Sequence, residues 1–341
     1  MKDIIIDYSF NEEIDEIKRI LNESRISVSN FISIKQLATN WKIGEIIVKY
    51  EQNNQKRAMY GKSTLKELSK ALTKEFGKGF SRSNLQNMRK FYLEYQFLDF
   101  IDTNLTWSHY CELLLISDRE KRSFYEKECR NSNWSVRELK RQINTSLFER
   151  LLLSDNDNKL KIYDLSKKGI EINKPIDIIK DPYVFEFLGT QEKNLIYESD
   201  LEKALLIEME KFLLELGRGF MFVGTQQRIT LNNIHYYVDM VFYNKPLQAY
   251  VLIELKMTKL FPEAIGQMNM YLNYYENEIN DINDNPPIGI ILCTDKDSIT
   301  AEYALGGMSS QIFASKYVLY IPDKNQLIKQ VESIILSISS D

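Results

Sequence analysis

Hydrophobic and polar positions along this chain of 341 residues keep two different rhythms. Up to about residue 150 the apolar positions recur every three or four residues, as in Phe31-Ile32-Ser33-Ile34-Lys35-Gln36-Leu37-Ala38-Thr39-Asn40-Trp41, the spacing of amphipathic helices. Ser63, Ser81 and Ser135 mark helix starts. Ser135-Val136-Arg137-Glu138 has the form of a capping box, and Gly77-Lys78-Gly79 separates two helices. From Leu151 to about Ser199 the rhythm fades: Ser154 to Lys159 is polar, and Lys174-Pro175 and Asp181-Pro182 break up the rest of the segment. Beyond that, helix and strand alternate. A helix spans Leu201 to Glu215 and ends at Gly217, a suitable C′ glycine. Strands come next near 219–230, 235–243 and 249–256, then a helix from Pro262 to about Tyr275, then strands at Pro287–Cys293 and Lys316–Pro322. The expectation is an α+β chain: an all-α domain over 1–150, a connecting region over 151–199 and an α/β domain over 200–341. Its α-β-β-β-α-β order makes a mixed sheet flanked by helices.

Within that alternation, one hairpin places charges among apolar strands. Its arms are Tyr236-Tyr237-Val238-Asp239-Met240-Val241-Phe242-Tyr243 and Ala249-Tyr250-Val251-Leu252-Ile253-Glu254-Leu255-Lys256. With Lys245-Pro246-Leu247-Gln248 as the turn, a symmetric antiparallel register sets Asp239 opposite Glu254, with Cβ atoms roughly 4.5–5.5 Å apart. Glu254 and Lys256 share one face because side chains alternate along a strand. Two facing carboxylates destabilise a sheet unless something compensates them. A divalent cation suits the task, since Mg²⁺ takes one or two carboxylates together with water and phosphate oxygens. Lys256 would then orient a water or stabilise charge building on a phosphate. On the next helix, Gln267 and Tyr271 stand at i and i+4 and project from one face, as catalytic candidates aimed at phosphate oxygens or Lys256; a solvated glutamine and a core tyrosine are the competing reading.

Composition narrows the class. Hydrophobic residues make up 44% and aromatics 12% of the chain, enough for folded domains and against disorder. Cys111, Cys129 and Cys293 are scattered and odd in number, which fits a reducing cytoplasm better than a disulfide framework or a zinc site. The N-terminal residues lack the apolar run of a signal peptide, and no uncharged stretch is long enough to span a membrane. There is no P-loop, no Gly-x-Gly-x-x-Gly and no Ser-His-Asp arrangement, and the two histidines, His109 and His235, suit packing or capping.

The net charge of −4 conceals an asymmetry. Between Lys56 and Lys90 there are ten basic and two acidic residues. Lys62, Lys66, Lys70, Lys74 and Lys78 recur every four residues as a basic ridge, and Arg82, Arg89 and Lys90 lie on a second helix after the glycine break. A helix, a short turn and a polar-faced second helix resemble a helix-turn-helix arrangement. Lys62, Lys66, Lys70, Lys74, Arg82, Arg89 and Lys90 are therefore the candidate DNA contacts, supplying salt-dependent phosphate affinity without base readout. A solvated charged face is the competing reading.

The constellation Asp239, Glu254-Leu255-Lys256 and Gln267-x-x-x-Tyr271 resembles the PD-(D/E)XK nuclease superfamily. The wider run adds Phe212 to Phe220, Asp239 to Tyr243 and Ile288 to Cys293. Together with Trp41-Lys42-Ile43-Gly44, Leu105-Thr106-Trp107-Ser108-His109-Tyr110 and Ser135 to Leu139, it looks like the bacterial YhcG-like proteins with a PDDEXK nuclease domain. That resemblance covers nearly the whole chain. It implies a PD-(D/E)XK nuclease core behind a helical domain for DNA binding or assembly, and Mg²⁺-dependent hydrolysis of DNA phosphodiesters, with Mn²⁺ able to substitute. Asp239 and Glu254 would be metal ligands and Lys256 the catalytic lysine. A glutamate of the first core helix would complete the metal shell: Glu202 is the candidate, with Glu208 and Glu215 as rivals. Val238 stands where the signature has proline, a position that superfamily members often vary. The leading expectation is a cytoplasmic DNA endonuclease of bacterial defence, mobile-element biology or DNA processing, with a homo-oligomer left open. The alternatives are a catalytically silent DNA-binding or scaffolding protein on the same fold and an RNA-directed nuclease.

Overall fold

The computed structural model describes residues 8–53, 61–97, 101–153, 164–189, 197–295 and 311–338. The chain opens with α1 (Tyr8–Asn53), α2 (Gly61–Phe76), α3 (Arg82–Glu94), α4 (Trp107–Leu113), α5 (Arg119–Asn131), α6 (Val136–Asn144) and α7 (Leu147–Leu153). A short strand, β1 (Tyr183–Val184), precedes α8 (Glu198–Ile207), α9 (Met209–Leu216), β2 (Phe220–Leu231), β3 (Ile234–Asn244) and β4 (Ala249–Lys259). Then come α10 (Pro262–Tyr274), β5 (Ile288–Asp295), β6 (Ile312–Val318) and α11 (Lys324–Ile338). The chain divides into two compact units, Met1–Arg122 with Asn133–Leu139, and Ser123–Ser132 with Lys140–Asp341.

In the first unit α1 and α3 come into near backbone contact at Gly44, where a Cβ would lie 2.1 Å from the Met88 carbonyl oxygen. Only glycine fits there. Phe91, Tyr95, Trp107 and Tyr110 pack edge-on or tilted with centroids 4.8–5.3 Å apart. The polar ends of the aromatics are satisfied: Trp41 donates to the Tyr95 carbonyl at 2.6 Å and Trp107 to the Asn84 side chain at 2.9 Å. Ser81 caps α3 through the Asn84 N–H, and Ser135 accepts from the Glu138 N–H at 3.2 Å. Ser63, expected at a helix start, lies inside the first turn of α2, which begins at Gly61. His109 caps as expected, Nδ1 accepting from the Thr106 N–H at 3.1 Å, and its Nε2 lies 3.1 Å from the Trp134 carbonyl.

The second unit is built on one sheet of order β1-β6-β5-β4-β3-β2. β2, β3 and β4 form an antiparallel meander, while β4, β5, β6 and β1 run parallel. Parallel strands covered on both faces read as continuous apolar runs, and Ile288 to Cys293 is such a run. Each face has its own core. One holds Leu201, Leu205, Phe212, Met240, Phe242, Val251, Ile253, Ile290 and Tyr317. The other holds Val238, Val241, Leu252, Ile265, Met268, Tyr271 and Ile291, with α10 as its cover. Gly289 lets α10 lie close, since a Cβ there would meet Met268 Cγ at 2.6 Å.

Two expectations need correction. The single helix expected from Leu201 to Glu215 breaks at Glu208, whose φ of −102° and ψ of 30° leave the helical range and turn the chain from α8 into α9. The last strand is Ile312–Val318 and not Lys316–Pro322. Its ladder with β5 runs from Ile312 to Lys316, and β1 pairs with it at Tyr317 and Val318. Tyr320 and Ile321 lie beyond both partners and are exposed.

Candidate active site

The hairpin has the expected register, from Asn244↔Ala249 to Met240↔Ile253. There the β3–β4 ladder stops, so Asp239 and Glu254 do not form a ladder pair. Asp239 turns instead to the backbone, its Oδ2 accepting the Leu255 N–H at 2.8 Å. Alternation slips at the same point: Val238 packs in the cluster of Val241, while Met240 packs in the other. With the ladder ended, the Asp239 carboxylate takes up the Leu255 N–H of the neighbouring strand.

Glu254 is buried, at 3% exposure, and its Oε1 accepts from Lys256 Nζ at 3.0 Å. Its Oε2 is buried with no hydrogen-bond partner. Burial, followed by the nearby Asp239 charge, pushes the Glu254 pKa up to about 7. Burial also raises Asp239, against the pull of the Leu255 N–H, Lys256 and Gln226. For Lys256 burial opposes the charge, but Glu254, Glu198 and Asp239 outweigh it and hold the ammonium above its ordinary pKa.

Glu202, Glu208 and Glu215, which spacing along the sequence could not separate, have three different fates. Glu202 on α8 is brought to the patch: Gln226 Nε2 donates to Glu202 Oε2 at 2.9 Å and to Asp239 Oδ1 at 3.2 Å. Glu208 sits at the α8–α9 break and pairs with Lys211 at 2.6 Å. Glu215 is fully buried elsewhere, held by Arg150 at 2.5 Å, Arg141 at 3.1 Å and the Val184 N–H at 3.0 Å. A further glutamate, Glu198, opens α8. Its Oε2 lies 3.5 Å from Lys256 Nζ and its Oε1 accepts the Met257 N–H at 3.2 Å.

Gln267 and Tyr271 overhang from α10 but are bonded to each other, Gln267 donating to the Tyr271 hydroxyl. That hydroxyl in turn donates to the Tyr237 carbonyl at 3.1 Å. Burial raises the Tyr271 pKa, so it stays a neutral donor. Sequence reading missed Glu198 and Gln226. Gln226-Gln227 did carry a signal, since two adjacent polar residues interrupt a strand and place an amide on each face.

In the helical unit Lys66, Lys70 and Lys74 are exposed along α2, and Arg82 is exposed at the start of α3. Lys62 belongs to α2, though its side chain lies outside the described residues. Arg89 is half-buried in an ion pair with Glu51 at 2.7 Å, and Lys90 reaches the Leu114 carbonyl at 3.4 Å.

Among the described residues no three His, Cys, Asp or Glu side chains converge closely enough to hold a metal by themselves. The orphan Glu254 Oε2 beside Asp239 fits a cation that takes two carboxylates and completes its shell with water and phosphate oxygens. No helix in the described residues is long and apolar enough to cross a membrane.

Residues 176–332 match the YhcG PDDEXK nuclease domain and residues 16–150 the DUF1016 N-terminal domain. The chain is 35% identical to the "Putative nuclease YhcG" of Escherichia coli (strain K12), over 93% of this chain and 92% of that one. A solved repair endonuclease from Pyrococcus abyssi aligns at 21% identity with a TM-score of 0.26, over 37% of this chain and 49% of the other. With its sheet, its Asp239–Glu254–Lys256 hairpin and a relative matched almost end to end, the chain belongs to the YhcG family of PDDEXK nucleases.

Proposed function

We propose that this chain is a divalent-metal-dependent DNA endonuclease of the bacterial cytoplasm, acting in defence, mobile-element biology or DNA processing. The observation that carries the reading is the buried Glu254 with one oxygen paired to Lys256 and the other unpartnered. A buried carboxylate oxygen without a partner is costly, and the ordinary remedy is a cation or a proton. Asp239 and Glu254 would hold Mg²⁺ or Mn²⁺, with Glu202, linked to Asp239 through Gln226, as the third candidate acid. When bound, the ion supplies Lewis-acid stabilisation of phosphate charge and lowers the pKa of a bound water.

The chain's own residues do the rest. Asp239 is anchored by the Leu255 N–H, which fixes its carboxylate across the strand gap. Lys256 keeps its proton between Glu254 and Glu198, so it is a donor to developing phosphate charge and a guide for an attacking water. Glu198 positions the ammonium from the helix side. Tyr271 and Gln267 brace α10 against β3 at the same end of the hairpin. Lys66, Lys70, Lys74 and Arg82 would track a DNA backbone; Arg89, paired with Glu51, contributes less net charge.

The test is conversion of supercoiled plasmid in Mg²⁺ or Mn²⁺ by the wild-type chain, Glu254→Ala and Lys256→Ala. Loss of cleavage in both variants, with wild-type activity removed by chelation, supports the reading. Equal activity in all three preparations would mean a contaminant and sink it. Salt-sensitive DNA binding without cleavage under either metal would instead favour the silent scaffold, to which the ready-made Lys256 ion pairs are suited.

A further inference from the structure

Strand β2 carries a backbone irregularity that its packing does not require. Gln226 has a φ of 47°, in the left-handed region, at a cost of about 1–2 kcal/mol for a residue with a Cβ. Its side chain is exposed, so no core contact explains the strain. The β2–β3 ladder pairs Thr225 with Met240 and Gln227 with Val238, and skips the step between them, where Gln226 meets Asp239. The strand's register shift lies earlier, between Phe222 and Gly224, and from Thr225 to Leu231 the register is constant. A non-glycine residue held in the left-handed region persists where its surroundings fix it, and such residues cluster at functional sites.

What the side chain does with that aim is specific. A carboxamide nitrogen has two N–H donors, and Gln226 Nε2 reaches Glu202 Oε2 at 2.9 Å and Asp239 Oδ1 at 3.2 Å. The two acids belong to different elements, one on helix α8 and one on strand β3. Nothing in the covalent chain fixes their separation, and as like charges they repel. We propose that Gln226 is a positioning residue whose carboxamide clamps Glu202 to Asp239, setting the separation at which the two acids receive a divalent cation. This rests on the metal-dependent reading above. The clamp is neutral, so it gathers the acids without cancelling the charge that a cation needs. A lysine in its place would hold them more strongly and compete with the ion. The clamp also divides the labour between the two glutamates of α8: Glu202 is tied to Asp239, and Glu198 to Lys256.

The left-handed backbone provides a clean experiment. Gln226→Gly removes the carboxamide while suiting the backbone conformation, so its melting temperature should equal or exceed that of the wild type. Isothermal calorimetry of the full chain with MnCl₂ should then show a Kd at least tenfold weaker than wild type. Gln226→Asn keeps the amide on a shorter stem, tolerates the left-handed region and should recover part of the loss. Gln226→Glu replaces both donors with a third carboxylate; it should melt below wild type without metal and gain more from Mn²⁺ than wild type does. Wild-type binding with an equal Kd in Gln226→Gly would overturn the clamp alone. A Gln226→Gly chain that melts lower and binds weakly only for that reason would also overturn it, since the residue would then be structural. A wild-type chain that binds no Mn²⁺ would sink the metal-dependent reading, and the clamp with it.

Discussion

Glu215 and Glu254 are both buried in the same unit, at 0% and 3% exposure, and their surroundings are opposite. Burial alone would raise the pKa of each. At Glu215 the charges of Arg150, Lys180 and Arg141 outweigh burial and bring it down to about 2. Both carboxylate oxygens are bonded, and Lys180 donates to the Glu215 carbonyl as well. At Glu254 burial is reinforced by Asp239 and only partly offset by Lys256, leaving one oxygen without a partner. The fold gathers three cations around Glu215 and gives Glu254 a single ammonium, that of Lys256. Buried acids with shifted pKa values mark function only when their environment leaves something undone.

The largest effect is expected at the structural end of this contrast. Glu215→Gln takes from Arg150 the carboxylate at 2.5 Å and leaves Arg141 with Glu186 alone of its two acids, and unfolding in urea should show a loss of about 3–5 kcal/mol. Next comes the ammonium at the chemical end. Lys256→Ala should lower kcat for plasmid cleavage by about 10²–10³-fold, equivalent to roughly 3–4 kcal/mol of barrier, with a smaller change in KM.

Glu254→Gln sharpens the contrast through pH. The folded chain holds the Glu254 proton up to about pH 7, against 4.5 ordinarily. Its neutral form therefore favours folding fully below pH 4.5, and that advantage is lost as pH rises to 7. Glu215 has the opposite sign, its stabilisation being present above pH 4.5 and lost as pH falls toward 2. Metal-free Glu254→Gln should accordingly gain roughly 1–3 kcal/mol on the wild type between pH 4.5 and pH 8, while losing cleavage. A gain that does not depend on pH would contradict the assignment. The smallest effect belongs to Glu208→Gln, which removes a solvent-facing pair with Lys211 and should change stability by less than about 1 kcal/mol.

These three fates mark where sequence reading stops. Glu202, Glu208 and Glu215 all read as acids on one amphipathic stretch, and helical periodicity cannot say which one comes to Asp239. The answer lay in Arg141, Arg150 and Lys180, 35 to 74 positions away from Glu215. The hairpin was legible because its information is local: alternation sets the faces, and Lys245-Pro246-Leu247-Gln248 sets the register. The skip at Gln226 was not, because a left-handed glutamine depends on the partners waiting for its amide. The shift of the last strand from Tyr320 and Ile321 back to Ile312 has a similar cause. Hydrophobicity marks where a strand can form, and neighbours β5 and β1 decide where it does.

Strand β1 has a consequence for how the core can be inherited. It comes from upstream of α8, yet it closes the edge of the sheet beside β6, and its Val184 N–H is bonded to Glu215. Arg141, Arg150 and Lys180 lie upstream as well. A gene fragment beginning at residue 200 would encode every acid of the hairpin and α8 except Glu198. It would also encode a bare sheet edge and a buried anion with no cations. Recombination at that point would pass on Asp239, Glu254 and Lys256 without Arg141, Arg150 and Lys180, the cations around Glu215.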